Sequence, residues 1–421
     1  MVAGTCPGDA AGSIPGVTRF VSGRPAPAAV LGCLTLLLIG WTGLLMPSLI
    51  RSIKDTFGQT DAGIGLIYFL YAIAYAAGSF GGGPATEKLG RRTVLVAASL
   101  LHGAGLLGMG VAPAWAVFAG LSLPAGLGAG ILDGGSNGLF LDLFRSGRGR
   151  AMNLLHLFFS IGALSAPLVV GALVDGGVAW PLIVIGSGLA LVPLAVGYAV
   201  ASMPSGQPEQ APARAPAAGA ATSGRGDRVL SLPIVLLGVA IGVYVAAEVG
   251  VSNWLVRFLE PAPLSTATLG LSLYWAGLAV GRFVSSLIAD RFDHVRFTAG
   301  CGVLLAAALV GAIAVPSLPI SIALFAVVGF ASGPIFPMIQ AIGGERFADR
   351  SAAVSGLLTG FGVVGGTVYP PLMGVMSVTV GLTVAMYGNV ILGLACAAAL
   401  IAFTRRTADA GARPVEVAGR G

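Results

Sequence analysis

Of 421 residues, 56% are hydrophobic and only 10% are charged, against about 25% charged in soluble domains, which excludes an ordinary water-soluble fold. Four cysteines, three of them inside apolar runs (Cys33, Cys301 and Cys396), argue against a disulfide framework or a metal site. The formal charge is +6, but Lys and Arg sit in short clusters between apolar runs rather than along one basic face. That pattern reports membrane topology and excludes nucleic acid as a partner; the lipid bilayer is the expected surrounding.

A bilayer core about 30 Å thick needs about 20 apolar residues per helix at about 1.5 Å each. After a basic tail over 1–28, cuts at charges, Pro and Gly-rich turns predict twelve spans: 29–50, 62–84, 93–112, 114–143, 151–175, 179–202, 231–257, 266–290, 297–316, 318–343, 352–378 and 382–403. The runs are far longer than the alternating segments of about ten residues that build a β-barrel. No small-residue cleavage site follows the first run, so it reads as a retained helix. Residues 204–230, rich in Pro, Ala and Gly and without apolar periodicity, read as a linker between two six-helix bundles, 29–203 and 231–403; 404–421 reads as a second tail. With the N-terminus cytoplasmic, 19 of the 23 cations fall on the cytoplasmic side. The expected address is therefore the cell (inner) membrane, multi-pass, with both termini cytoplasmic.

The two halves are related. At an offset of 203 residues and without gaps, Gly78 aligns with Gly281, Glu87 with Asp290, Lys88 with Arg291, Asn137 with Gln340, Asp142 with Glu345, Pro167 with Pro370 and Gly171 with Gly374. Acidic and basic matches carry the argument, because such residues are scarce here. Two six-span halves in the same orientation form the parallel-repeat architecture of secondary transporters, with a solute site near the midplane where the halves meet. The expected fold is an all-α integral membrane protein of twelve transmembrane helices.

After the second span the chain reads Gly83-Pro-Ala-Thr-Glu87-Lys88-Leu-Gly90-Arg91-Arg92. This turn resembles the loop signature of the major facilitator superfamily, with Ala85 and Thr86 in place of Leu and Ala and Glu87 in place of the usual Asp. In physical terms a loop crowded with cations needs an acid, and Gly90 allows a tight turn. The resemblance implies that Glu87 caps a neighbouring helix N-terminus and latches one conformation, with Asp290 and Arg291 as the second-half counterparts. Within the superfamily, three stretches resemble the fucose permease-like sugar and cation symporters: "GLGAGILDGGSNGLFLDLFRSGRGRAMNLLHLFFSIGALSAP", "YVAAEVGVSNWLVRFLE", and "GPIFP" with "GGTVYPP". That group also carries an acid in its first span, and "LTLLLIGWTGLLMPSLI" has none.

An ionisable group at a helix centre costs roughly 2.5–3.5 kcal/mol on insertion scales, so each one inside a span requires a reason. Asp133, His156, Glu248 and Arg282 are such groups, and the repeat offset places Phe336, Thr359, Leu45 and Ser79 at their counterparts. Scaffold positions recur in both halves and these do not, as expected of a site built onto a symmetric frame. The leading hypothesis puts Asp133 and Glu248 in a central cavity, one binding a proton or Na⁺ and one or both hydrogen-bonding a small polar solute, with Arg282 as the cation for Glu248. Asn137, Asn153, His156 and Gln340 supply the neutral donors and acceptors that sugar hydroxyls need, and Trp41, Tyr244, Trp254 and Trp275 offer rings for a sugar's CH face. Plainer readings stay open: ion pairs for folding, interfacial Trp, and glycines for close helix packing.

The expected function is a monomeric secondary transporter moving a sugar or similar solute by alternating access, coupled to H⁺ or Na⁺. The alternative is a drug or metabolite efflux antiporter of the same fold, which a largely apolar cavity would favour. An enzyme is disfavoured, since no His and carboxylate cluster and no phosphate loop stands in the sequence, and no cofactor is expected.

Overall fold

The computed structural model describes residues 27–144, 148–203, 231–260, 262–347 and 351–411. Twelve helices there are long and apolar enough to cross a bilayer. They are α1 (Pro27–Phe57), α2 (Asp61–Leu89), α3 (Arg91–Gly110), α4 (Trp115–Leu143), α5 (Arg148–Asp175), α6 (Trp180–Val200), α7 (Leu232–Phe258), α8 (Leu264–Ile288), α9 (His294–Ala314), α10 (Leu318–Arg346), α11 (Ser351–Thr379) and α12 (Leu382–Gly411).

Helix starts follow local chemistry. Thr60 caps α2 by accepting from the Gly63 amide at 3.3 Å, and Asp293 caps α9 by accepting from the Arg296 amide at 2.8 Å. Pro181, Pro233 and Pro319 stand in the first turns of α6, α7 and α10, where a missing N–H costs nothing. Gly58 closes α1 in the left-handed region at φ 60°, a conformation that a Cβ would penalise.

Three boundaries depart from expectation. α1 continues to Phe57 because its last part, Leu45–Phe57, is amphipathic: Leu49, Ile50 and Ile53 are buried while Arg51 and Lys54 are half-buried and Asp55 and Thr56 exposed. A count of apolar length stops where such a segment begins. The residues from Gly83 to Leu89, expected to form a turn, remain helical with Pro84 inside α2, and the chain turns only at Gly90, at φ 80°. α12 runs on to Gly411, so the tail expected from 404 begins as helix. The linker 204–230 and the ends 1–26 and 412–421 lie outside the described residues.

The 203-residue repeat recurs in the packing. Shifted by that offset, α4 falls on the bounds of α10 at both ends. Gly78 abuts the Leu127 carbonyl and Gly281 the Phe330 carbonyl; Gly126 abuts that of Tyr71 and Gly329 that of Tyr274; Gly130 abuts that of Tyr75 and Gly333 that of Leu278. Each contact and its partner are one repeat apart, so α2 with α4 and α8 with α10 form the same backbone-to-backbone seam twice. Gly130→Val pushes a branched side chain against the Tyr75 carbonyl. It is expected to destabilise the protein by at least about 1–3 kcal/mol, read as a lowered melting temperature in detergent. Gly138→Ala, with open space at its Cβ position inside α4, does not lower that temperature and is expected to raise it slightly.

The halves meet along two related lines, α2 on α11 and α5 on α8. A Cβ on Gly374 would stand 2.6 Å from the Asp61 carbonyl oxygen and 3.2 Å from the Gly65 Cα, and one on Gly171 would stand 3.0 Å from the Thr268 Cβ. Gly171 and Gly374 are repeat partners, as are Gly65 and Thr268. α1 is interrupted at Leu44, directly after Gly43, and α10 at Gly333–Pro334.

Candidate functional site at the interface of the halves

A cavity of about 370 Å³ lies between the halves. The first half contributes α1 around Thr42 and Gly43, α2 through Tyr68, Tyr71 and Tyr75, and α5 through Phe159. From the second half come α7 through Glu248, Ser252 and Asn253, α8 through Trp275, α10 through Phe336 and α11 from Thr359 to Thr367. Glu248 and Ser252 are four residues apart and so share one face of α7, as Tyr71 and Tyr75 do on α2, where the rings stack at 6.3 Å. Trp275 donates its indole N–H to the Ser252 hydroxyl at 3.0 Å and meets Phe159 edge-on at 6.1 Å across the interface. Ile39, Leu44, Met46, Ile67, Val245 and Val249 make much of the remaining wall apolar.

Asp133 lies behind this wall. Tyr75, which lines the cavity, donates its hydroxyl to Asp133 Oδ2 at 2.7 Å, and Asn137 donates Nδ2 to Oδ1 at 3.1 Å. His156 is within electrostatic reach of Asp133, and Arg282 is within reach of both His156 and Glu248. The four ionisable groups singled out in the sequence therefore form one chain, Asp133, His156, Arg282, Glu248. It passes from the first half to the second where α5 packs on α8. Tyr244 donates its hydroxyl to the Ser332 carbonyl at 2.8 Å, while Arg282 Nε donates to the Gly333 carbonyl at 3.4 Å.

The structure distributes the other candidates unevenly. Trp41 donates to Ser187 at 2.9 Å within the first half, and Trp254, 0% exposed, donates to the Pro370 carbonyl at 2.9 Å, so neither ring lines the cavity. Tyr244 is 1% exposed and does not line the cavity, although it stands within electrostatic reach of Glu248. Gln340 is not on the wall itself but donates to Oγ1 of Thr359, which is, at 3.1 Å. Asn153 is exposed on α5 with His156. Sequence reasoning missed Tyr71, Tyr75, Thr42, Ser252 and Asn253. A signal was present for Tyr75, whose repeat partner is Leu278, just as the partner of Asp133 is Phe336.

The face opposite the chain ends is closed. Asp61, 4% exposed, forms ion pairs with Lys54 and with Arg257 (Nε to Oδ1 3.1 Å), and Ser377 donates to its Oδ2 at 2.5 Å. One carboxylate thus ties together α1, α2, α7 and α11. Arg257 also pairs with Glu260. Arg51 donates to the carbonyls of Val256 (3.1 and 2.7 Å) and Ala262 (2.6 Å), Tyr68 to that of Asn253 (2.9 Å), and the Ser265 amide to Asp175 (3.2 Å).

At the face bearing the chain ends, the polar bonds among the described residues stay within a half: Arg91 to Asp142 at 2.5 Å, Arg92 to the Ala201 carbonyl at 2.9 Å, His294 to Glu345 at 3.3 Å. Asn153, His156, Ser355 and Thr359 are exposed there, as polar groups lining an aqueous entrance must be. Gly83, Lys88, Arg291 and Glu87 are exposed, and Glu87 has no hydrogen-bond or ion-pair partner among the described residues. Among the described residues, the capping contact expected of Glu87 is not formed. Asp290 falls in the turn Ala289–Arg291, and its side chain lies outside the described residues.

A family model described as Major Facilitator Superfamily matches residues 30–261 and again 229–420. The chain is 25% identical over 384 residues to the glucose/galactose transporter of Brucella abortus (biovar 1, strain 9-941), covering 84% of this chain and 89% of that protein. A bacterial homolog of the human lysosomal transporter Spinster, solved in an inward-facing and unoccupied conformation, superposes with a TM-score of 0.76 at 15% identity, over 92% of this chain and 98% of that one. A D-xylose-proton symporter superposes with a TM-score of 0.71 at 14% identity, over 90% and 97%. At these identities the two structures speak to the fold.

Proposed function

This chain belongs to the Major Facilitator Superfamily, and we propose that it carries a hexose or similar polyhydroxylated solute across the cell membrane by alternating access, in symport with protons. The observation that supports this most directly is the chain of ionisable groups from Asp133 to Glu248. It starts beside the cavity in one half, ends on the cavity wall in the other, and crosses where the halves must move past each other. In this reading Glu248 accepts hydrogen bonds from the solute, Asp133 carries the proton, and Arg282 with His156 balances charge between them.

The wall pairs hydroxyl-binding groups (Glu248, Ser252, Asn253, Thr367) with aromatic faces (Tyr71, Trp275), the combination that holds the polar edge and the CH face of a sugar ring. The Brucella relative, named as a glucose/galactose transporter, agrees in solute class. Cations concentrated at the face bearing the chain ends support a cytoplasmic location for both termini.

The apolar share of the wall favours a second reading, efflux of an amphipathic solute. A thermal-shift screen of the purified protein separates the two, since a ligand that binds the folded state raises its melting temperature. D-galactose or D-glucose is expected to raise it in a saturable way. Stabilisation by amphipathic cations alone, with no hexose active, overturns the symport reading.

A further inference from the structure

Tyr75 is the residue through which the cavity and Asp133 touch. Its ring lines the cavity, stacked on Tyr71, and its hydroxyl donates to Asp133 Oδ2 at 2.7 Å. The other carboxylate oxygen, Oδ1, accepts from Asn137 Nδ2 at 3.1 Å. An amide N–H₂ can only donate, so a proton arriving on Asp133 must settle on Oδ2, facing Tyr75.

Phenol and carboxyl then exchange roles. With Asp133 ionised, the Tyr75 O–H points at Oδ2 and is unavailable to a solute. With Asp133 protonated, Oδ2–H donates to Tyr75 Oη, and the phenolic hydrogen swings about its C–O bond toward the cavity. No bond other than the carboxyl O–H is made or broken, and the proton comes from water.

The duplicated frame isolates the pair. One repeat away, the same seam between α8 and α10 holds Leu278 and Phe336, two apolar groups, where α2 and α4 hold Tyr75 and Asp133. The remaining surroundings of Asp133 are Tyr71 on α2 and His156 on α5, with Arg282 of α8 behind His156. Helix α3 also packs on α4, but its Arg91 and His102 bond elsewhere on it, to Asp142 and to the Ala125 carbonyl.

Building on the symport reading above, we propose that Tyr75 is the positioning residue that couples solute binding to the proton, by turning its hydroxyl from Asp133 to the solute when Asp133 is protonated. Proton and solute then favour each other's binding by the same factor, as linkage requires.

The test is equilibrium binding of D-galactose and D-glucose to purified protein across the pH range. One neutral hydrogen bond gained or lost changes affinity by about five- to tenfold. Measured in a Glu248→Gln background, so that the acid on the cavity wall does not itself titrate, the otherwise native chain is expected to bind hexose that much more tightly at the acid limit than at the alkaline limit. Tyr75→Phe holds the weak, alkaline affinity at every pH. Asp133→Asn holds the tight, acid affinity at every pH, because its amide oxygen must face Asn137 and its N–H₂ must donate to Tyr75. A Tyr75→Phe chain that retains the full pH span overturns the proposal and leaves symport standing. If Tyr75→Phe does not fold, Asp133→Asn decides alone, and weak binding by it overturns the proposal. A chain with Tyr75 and Asp133 intact whose hexose affinity does not change with pH overturns this proposal, and concentrative uptake under a pH gradient then decides whether symport stands.

Discussion

In proteoliposomes with a pH difference of about two units, Asp133→Asn is expected to equilibrate hexose without concentrating it, while the native chain is expected to concentrate it up to about a hundredfold, since each pH unit supplies about 1.36 kcal/mol per proton. The variant keeps a hydrogen-bonding amide beside Tyr75 and Asn137, so the fold and the seam between α2 and α4 are retained and only the titrating group is lost. Glu248→Gln should fail differently. Glu248 lines the cavity, and a neutral amide there weakens bonds to solute hydroxyls by about 1.5–3 kcal/mol, seen as a half-saturating concentration raised roughly tenfold or more. Uptake assays with and without the pH gradient separate the two effects. Concentrative uptake that persists in both variants removes the acids from the coupling mechanism.

Asp61→Asn is expected to open the face opposite the chain ends. In the native chain one nearly buried carboxylate faces Lys54 and Arg257 together and accepts from Ser377. Without its charge the two cations oppose each other across the interface with no acid between them. Breaking a buried pair by removing one partner costs about 3–5 kcal/mol. Taking the lower figure, because Arg257 is 28% exposed, shifts the balance between closed and open roughly a hundredfold. The measurement is the rate at which an impermeant thiol reagent, added on that side, modifies a cysteine placed at Met46 on the cavity wall in a chain without its native cysteines. An unchanged rate means that Asp61 does not hold the closure. Lys54→Met leaves Arg257 on the acid and should produce a smaller rise.

The fold was legible because a bilayer imposes length and apolarity on every helix, and the duplication doubled the signal. Misreadings came where a helix stops being uniformly apolar, at the amphipathic end of α1 and at Gly83–Leu89, which pattern alone assigns to a turn. For the site, charge in an apolar span singled out Asp133, His156, Glu248 and Arg282, which the fold brings within electrostatic reach of one another in the order Asp133, His156, Arg282, Glu248. Aromatic residues were a poor guide. Trp41 and Trp254 spend their N–H groups on Ser187 and Pro370 as helix cement, and nothing in composition separates them from Trp275, whose N–H is spent on Ser252 at the cavity wall. Asp61 was overlooked because it stands at a helix start, where an acid is unremarkable. The repeat held the missing clue: Lys54 and Arg257 are 203 residues apart, so the pseudo-symmetry brings equivalent cations to the same acid.

The interruption of α1 after Gly43 joins two tasks in one helix. Gly43 borders the cavity with open space at its Cβ position, while the segment beyond it, Leu45–Phe57, carries Arg51 and Lys54 into the closure. On the alternating-access reading proposed above, a solute that fills the cavity as far as Gly43 stands against the break in α1, so enlarged relatives of the cargo are expected to bind and to block turnover.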